Sequence, residues 1–314
     1  MHIYLLKTTD AAINLATEEF LLKNTEEDVF MLWQNEKAIV CGKHQNTLSE
    51  INYPYCIENN IAVHRRLSGG GTVFHDIGNI NFSFIKKHTE KQENTIDFKQ
   101  FTFPIIHYLK TIGITAENSG RNDILIDGLK FSGNAEHLYL QKKRTLHHGT
   151  ILFNSNLLEL SLGLKTSNGT YTDKSVKSVR SKVTNVINHL PQKMSINEFI
   201  DGLIKCIMNL NTNSELKELN ELNLNEIDLL SKNKYNTWDW NYAYSPKYLF
   251  EKNTTDQHIK MEVNKGVIQS LEWEENPLFN TLFVGINHDF LSIKNLLLKN
   301  QYSFSDNEIL DCFF

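Results

Sequence analysis

The stretch His64–Asp76, HRRLSGGGTVFHD, sets paired arginines beside consecutive glycines and closes on a His-Asp pair. Each glycine gives up more backbone freedom on ordering than any other residue, so a run of them weakens the element that holds it and needs a compensating use. A loop bent to present backbone N–H groups to an anion, with arginine close by for the same charge, is one such use. A tight turn between strands behind a chance charge pair is the other reading. Neither standard phosphate fingerprint fits: a P-loop ends in Gly-Lys-Ser/Thr and a Rossmann loop opens a helix, whereas Thr72, Val73 and Phe74 continue as strand. Nucleotide binding would therefore use a nonstandard fold. Further stretches carry related chemistry: GRNDILIDGLKFSGNAEH (120–137), with glycines around Lys130 and Ser132; LHHGTILF (146–153), with paired histidines before a glycine; and KSVKSVRSKVTNV (174–186), basic and rich in Ser and Thr.

The elements that position these residues follow from periodicity. Thr9 or Asp10 caps a helix in which Ala12, Leu15, Ala16 and Leu22 recur near helical spacing. VFMLW, KAIVCG and IAVHRR read as short strands, and INFSFI alternates Ile80, Phe82 and Phe84 against Asn81 and Ser83 as a half-buried strand does. The glycine run thus lies between strands. FKQFTFPIIHYLKTIGI reads as a helix with Pro104 in its early part and an end near Gly113. Asp127-Gly128 between apolar runs is a strong hairpin signal; it puts Lys130 just past the turn, on the face opposite Leu129 and Phe131. TLHHGTILFN is a further strand, and Ser195 to Glu198 has capping-box spacing ahead of an amphipathic helix. The expected class is α+β, a mixed, largely antiparallel sheet core with flanking helices. After Pro246 the polar EKNTTDQ leads to HIKMEVNKGVIQSLEWE, the hairpin of a small α+β C-terminal domain whose closing helix starts at Ser305–Glu308. The expected domains are 1–246 and 247–314.

Composition sets the bounds. At 314 residues, 40% hydrophobic and 22% charged, the chain has the make-up of an ordinary soluble globular protein with room for about two domains. A net charge of -5 argues against a nucleic-acid binder. Cys41, Cys56, Cys206 and Cys312 are scattered without a C-x-x-C pair, which indicates neither a zinc site nor a disulfide framework and leaves a reducing compartment as the expectation. The start lacks a basic flank before an apolar core, and no apolar run is long enough for a bilayer. A cytoplasmic protein, with neither nucleic acid nor membrane as partner, is expected.

NLATEE, LWQN, RRLSGGGTVFHD, GRNDI, KFSGNA, HHGTILF and SVRSKVTN stand in the order found in lipoate–protein ligase A, a family the chain resembles over essentially its whole length. WDWNYAYSP resembles the close of the family's large domain, and the tail its small accessory domain. The resemblance implies a fold shared with biotin protein ligases and octanoyltransferases. It implies a two-step reaction: lipoate and ATP, with Mg²⁺ assisting, give lipoyl-adenylate and pyrophosphate, and the lipoyl group then passes to a carrier lysine. Implied carriers are lipoyl domains of 2-oxoacid dehydrogenase complexes and the glycine-cleavage carrier protein.

Carried over by position, Lys130 is the catalytic lysine between the lipoyl carboxyl and the α-phosphate. Arg66, Gly71, Thr72, Val73, Phe74 and Lys130 contact ATP; Trp33, Ser68, His75, Lys130 and His148 contact lipoate; Asp123 holds the metal. Arg65 is expected either to share this work or to be structural, and Arg180 and Lys182 to meet phosphates or an acidic carrier. The chain departs from the family at Thr72, where alanine is frequent, at His137, where arginine is, and at Ala243, where glycine is; acyl preference and hinge behaviour hang on these. Two rivals remain at this level. One is an ATP-independent octanoyl or lipoyl transferase of the same fold, which needs an activated thiolate, with Cys41 near the site. The other is a noncatalytic lipoate- or carrier-binding protein, which would have lost a charged residue among Arg66, Lys130 and Asp123.

Overall fold

A computed structural model of the chain describes residues 1–87, 97–120, 122–164, 169–255 and 257–314. Its strands are β1 (His2–Leu5), β2 (Val29–Trp33), β3 (Ala38–Cys41), β4 (Ala62–Arg65), β5 (Val73–His75), β6 (Asn79–Lys87), β7 (Glu117–Asn118), β8 (Asp123–Ile126), β9 (Leu129–Tyr139), β10 (Arg144–Leu152), β11 (Thr170–Asp173), β12 (Glu215–Leu216), β13 (Tyr248–Asn253), β14 (His258–Asn264) and β15 (Val267–Trp273). They form an eight-stranded sheet ordered β12-β1-β2-β6-β10-β9-β8-β7, a three-stranded sheet β4-β3-β5 and a four-stranded sheet β11-β13-β14-β15. The large sheet is parallel at β12-β1-β2 and antiparallel from β2 to β7. The expected mixed, largely antiparallel α+β core is what forms.

Local signals explain the elements near the site. Asp10 caps the helix Ala11–Asn24 by accepting the Ile13 N–H. Asp127 and Gly128 both adopt positive φ, 50° and 74°, the pair a type I′ turn requires, and join β8 to β9. Immediately after, the register shifts so that Leu125 faces Lys130 while Ile124 faces Ser132. Phe131 is the extra residue of this bulge and drops into the core, which re-aims Lys130 beside it. Capping boxes are present at Ser195/Glu198 and at Ser305/Glu308. Pro104, expected early in its helix, instead lies in the interior of Phe98–Thr111. Burial of Phe101, Ile105, Tyr108 and Leu109 in one cluster with Phe199, Leu203 and Ile207 of the helix Ile196–Leu210 outweighs the lost backbone bond.

Helices cover both faces of the large sheet. Those at 98–111 and 196–210 pack with Phe30, Phe82 and Ile151, and Ala11–Asn24 packs with Met31, Trp33 and Ile85. A third cluster joins Ile39, Cys41 and Phe74 of the three-stranded sheet to Phe250, Trp273 and Phe313 of the tail. Among the described residues no helix is long and apolar enough to cross a membrane.

Candidate active site

A cavity of about 410 Å³ lies over the large sheet, walled by the glycine run on one side and by residues 176–181 on another. Its floor is a row across neighbouring strands. Trp33 pairs with Asn81 and Asn81 with Thr150; the Thr150 hydroxyl accepts the Gly133 N–H at 3.3 Å, and Gly133 pairs with Asp123. All five residues line the cavity.

The two arginines separate by strand parity. Arg65 turns away from the cavity and is wholly buried. It donates to the carbonyls of Gly42 (3.1 Å), Lys43 (3.0 Å), Gln45 (2.8 Å), Trp240 (2.9 Å) and Asn241 (3.1 Å), and to the hydroxyls of Thr47 (2.6 Å) and Ser245 (2.9 Å). This is the structural alternative for Arg65, with carbonyl and hydroxyl oxygens as its partners. Arg66 lines the cavity, yet its guanidinium already holds the chain's own oxygens: Val40 O (3.0 Å), Gly69 O (2.7 Å), Gly71 O (2.8 Å) and Ser68 Oγ (2.9 Å). Burial pulls its pKa down to about 10, so it stays a cation at neutral pH. Arg66 therefore sets the shape of the glycine loop from behind.

From Arg66 a directional hydrogen-bond chain crosses to a buried carboxylate. Glu18 Oε1 accepts from the Ser83 hydroxyl and from His148 Nδ1 (2.9 Å). In the neutral imidazole, Nε2 is then the acceptor, and it meets Ser68 Oγ at 2.5 Å, the same oxygen that takes the Arg66 Nε–H. Across the cavity, Lys130 Nζ pairs with Asp123 Oδ1 at 2.8 Å, both side chains about one-fifth exposed at 24% and 21%. The Lys130 backbone is pinned to the following segment by its N–H to Lys182 O (2.9 Å) and by the Thr184 N–H to its carbonyl (2.9 Å). That segment seats on the loop: Ser178 Oγ accepts the Thr72 N–H (2.9 Å) and donates to the buried Glu50.

Of the residues expected in the site, Trp33, Arg66, Gly71, Thr72, Val73, His75, Asp123, Lys130 and His148 all line this one cavity. Ser68 stands behind the wall, between Arg66 and His148. The Phe74 side chain is not brought to the cavity: alternation along β5 sends Val73 and His75 inward and Phe74 into the core with Ile39. Cys41 is buried in the same core, and burial pushes its thiol pKa up, opposite to the activated thiolate a cysteine transferase needs. Sequence reasoning assigned no role to Glu18, Asn35, Glu50, Asn81 or Ser178. A signal for Glu18 was at hand, because a carboxylate flanked by Leu15 and Leu22 on one helix needs a partner wherever it is buried.

Close approach explains one glycine of the site. A Cβ on Gly42 would stand 2.0 Å from the Gly70 carbonyl oxygen, so Gly42→Ala must displace the glycine loop. We expect the variant to fold and to weaken ATP by about tenfold, because a misplacement on the order of an ångström in a binding site costs that much or more. An unchanged ATP titration would show that the loop position does not matter to nucleotide.

Fold and cavity together define an α+β protein in which a glycine loop, a lysine and a carboxylate line one space over the sheet. Residues 10–208 match the family model described as the lipoyl protein ligase A/B catalytic domain. The lipoate–protein ligase LplJ of Bacillus subtilis is 41% identical over 303 residues, covering 93% of this chain and 88% of that one. Among solved structures, Plasmodium falciparum LipL1 in complex with lipoate has a TM-score of 0.63 at 24% identity, covering 98% of this chain and 96% of that one. A lipoate–protein ligase A bound with ATP has a TM-score of 0.64 at 23% identity, covering 77% and 98%. The chain belongs to the lipoate–protein ligase family and is an enzyme.

Proposed function

We propose that the cavity activates lipoate with ATP to lipoyl-AMP and passes the lipoyl group to a lysine amine of a lipoyl carrier domain. The observation that carries this reading is the Lys130–Asp123 pair facing a glycine loop in one cavity, in a chain so close to a lipoate–protein ligase. In the first step a carboxylate oxygen of lipoate attacks the α-phosphorus and pyrophosphate leaves. Both reactants are anionic, so a fixed cation at the meeting point and held orientation supply the catalysis. Lys130 is that cation. The Gly71–Thr72 backbone cradles phosphate, with Ser178 yielding the Thr72 N–H, and Arg66 acts by holding the loop. Trp33, His75 and His148 line the acyl pocket. In the second step the carrier amine attacks the acyl carbon, the bond to AMP breaks, and the amine proton is released.

Among the described residues, Asp123 is the one carboxylate on the cavity wall. Mg²⁺ is commonly held by one or two carboxylates plus substrate phosphates, so the donor set fits Mg²⁺, which when bound supplies charge neutralisation at phosphate. Exposed Lys174, Arg180 and Lys182 suit an acidic carrier surface, such as a lipoyl domain of a 2-oxoacid dehydrogenase complex or the glycine-cleavage carrier. The tail, 247–314, lies outside the matched family residues and is assigned an accessory role to 1–246. Four free thiols suit the cytoplasm. The test incubates the full chain with apo-lipoyl domain, lipoate and ATP and weighs the carrier. A lipoyl mass gain that needs ATP is expected; modification from octanoyl-carrier without ATP would instead make it a transferase.

A further inference from the structure

The paired histidines of β10 part company across the large sheet. His148 lines the cavity, whereas strand alternation turns His147 to the opposite face, under the helix Phe98–Thr111. There it stacks on Phe101 and Phe82, with ring centroids 4.7 and 6.2 Å away, and Phe98 meets it edge-on at 5.3 Å. In this apolar pocket His147 Nδ1 stands 2.9 Å from Glu136 Oε1, the two side chains being 0% and 3% exposed. The steps of lipoate activation given above use neither group.

The proton between them is assigned by their partners. Asn134 Nδ2 faces the Asn122 carbonyl at 3.0 Å, so it must be the amide nitrogen. Asn134 Oδ1 therefore faces His147 Nε2, at 3.2 Å, and can only accept. Nε2 then carries a proton, which leaves Nδ1 of the neutral ring as an acceptor opposite a carboxyl. A second proton must lie between Nδ1 and Oε1. Burial, with Asp97 nearby, pushes the Glu136 carboxyl up to about 7, and burial holds His147 well below the usual imidazole range, so Glu136 is the donor until the pH rises past neutral. Charged neighbours on this face are Asp97, at the start of the covering helix, and Lys86 of β6, whose ammonium lies 5.7 Å from the Phe101 ring; His148 lies just across the sheet.

Asn134 fastens this pair to the site. Its Nδ2 and its backbone N–H both donate to the Asn122 carbonyl, at 3.0 Å each, and the Asn122 side chain donates back to the Asn134 carbonyl at 2.6 Å. Asn122 immediately precedes Asp123, whose carboxylate holds Lys130. Gly149 leaves the room this amide needs: a Cβ there would stand 2.3 Å from Asn134 Oδ1. When the bridging proton leaves to solvent, the carboxylate favours the ring tautomer with its one proton on Nδ1. Nε2 then presents a lone pair to Asn134 Oδ1, and the amide cannot turn over without setting that oxygen against the Asn122 carbonyl.

Resting on the lipoate reading above, we propose that Glu136 and His147 are positioning residues, a one-proton latch behind the sheet that holds Asn134, and through it Asn122 and Asp123, in the arrangement that places Lys130. The latch is closed while the proton bridges the pair. Activation of lipoate therefore falls as the pH rises and that proton is lost.

The experiment measures lipoate-dependent pyrophosphate release by the full-length protein between about pH 6 and about pH 9, in the parent, Glu136→Gln and Glu136→Ala. The glutamine amide donates to Nδ1 at every pH, so Glu136→Gln should stay within about threefold of the parent at the acid end and lose the alkaline fall. Glu136→Ala, with no donor for Nδ1, should be about tenfold slower than the parent at the acid end. An alkaline fall absent from the parent, or the same in the parent and Glu136→Gln, would overturn the inference; so would a folded Glu136→Gln as slow as Glu136→Ala. ¹⁵N NMR of the histidine-labelled parent reads the latch without a variant. His147 should exchange Nε2–H for Nδ1–H over the pH range of the fall, and a single tautomer throughout would overturn the inference as well. Absence of release by the parent at every pH would instead overturn the ligase reading, with the NMR still deciding the latch.

Discussion

Lys130→Ala is expected to lower lipoate-dependent pyrophosphate release by about 10²–10³, the loss typical of removing one preorganised charge contact to a transition state. Geometry adds a second penalty. Asp123 Oδ1 sits 2.8 Å from Nζ, so the alanine variant leaves a carboxylate facing two anionic reactants with its counter-charge gone. Lys130→Ala with Asp123→Asn should therefore be less impaired, relative to Asp123→Asn alone, than the single lysine variant is relative to the parent. The backbone contacts to Lys182 and Thr184 do not use the side chain, so the fold should persist; circular dichroism checks this alongside the rates. Release within a few fold of the parent would remove Lys130 from the catalytic role.

Arg65→Ala is expected to be the more damaging change to the fold, and Arg66→Ala to ATP use. Arg65 is the common donor for the loop at 42–47 and the segment at 240–245. Its removal strands several buried carbonyls at once, each worth on the order of 1–3 kcal/mol when left unmade. With partial relaxation the loss should be about 4 kcal/mol. Arg65→Lys should recover little, because an ammonium cannot span the fork of partners. Urea denaturation of the parent and both variants gives the comparison; a loss under about 1 kcal/mol would show that water replaces the guanidinium without cost. Arg66→Ala should leave the denaturation midpoint nearer the parent and raise the KM for ATP.

Much of this was legible from residue patterns, and the failures share a cause. Alternation along INFSFI located β6, although Asn81 and Ser83 are buried too and the strand is covered on both faces rather than half-buried; Asp127-Gly128 located the β8–β9 turn, and Ser195/Glu198 located a helix start. Each is decided by neighbours within a few residues. Whether Arg65 or Arg66 faces the cavity is decided by strand parity, which needs the register against β3. The bulge at Phe131 that aims Lys130 is a property of the pair of strands. The donor polarity of His147 rests on Asn122 and Asn134, contacts formed only in the fold. Helix Ala11–Asn24 concealed its function differently: Asn14, Glu18 and Glu19 are buried along with its apolar residues, so no polar face marks the working side chains. TYTD, polar and short, gave no strand signal for β11, whose place is fixed by pairing with β13.

That pairing has a consequence for how the chain can be taken apart. β11 lies far ahead of Pro246 in sequence, yet it is the edge of the tail's own sheet, and the segment from Asp173 to Thr184 then runs straight to Lys130. The tail is thus stitched into the enzyme rather than appended to it. A genetic cut at the 246/247 boundary would sever one covalent link and leave two naked borders: β11 without β13 to pair with, and Ile39, Cys41 and Phe74 without their apolar cover. Unpaired strand edges recruit other chains. In this protein the natural seam follows hydrogen bonds, and a ruler laid along the sequence will miss it.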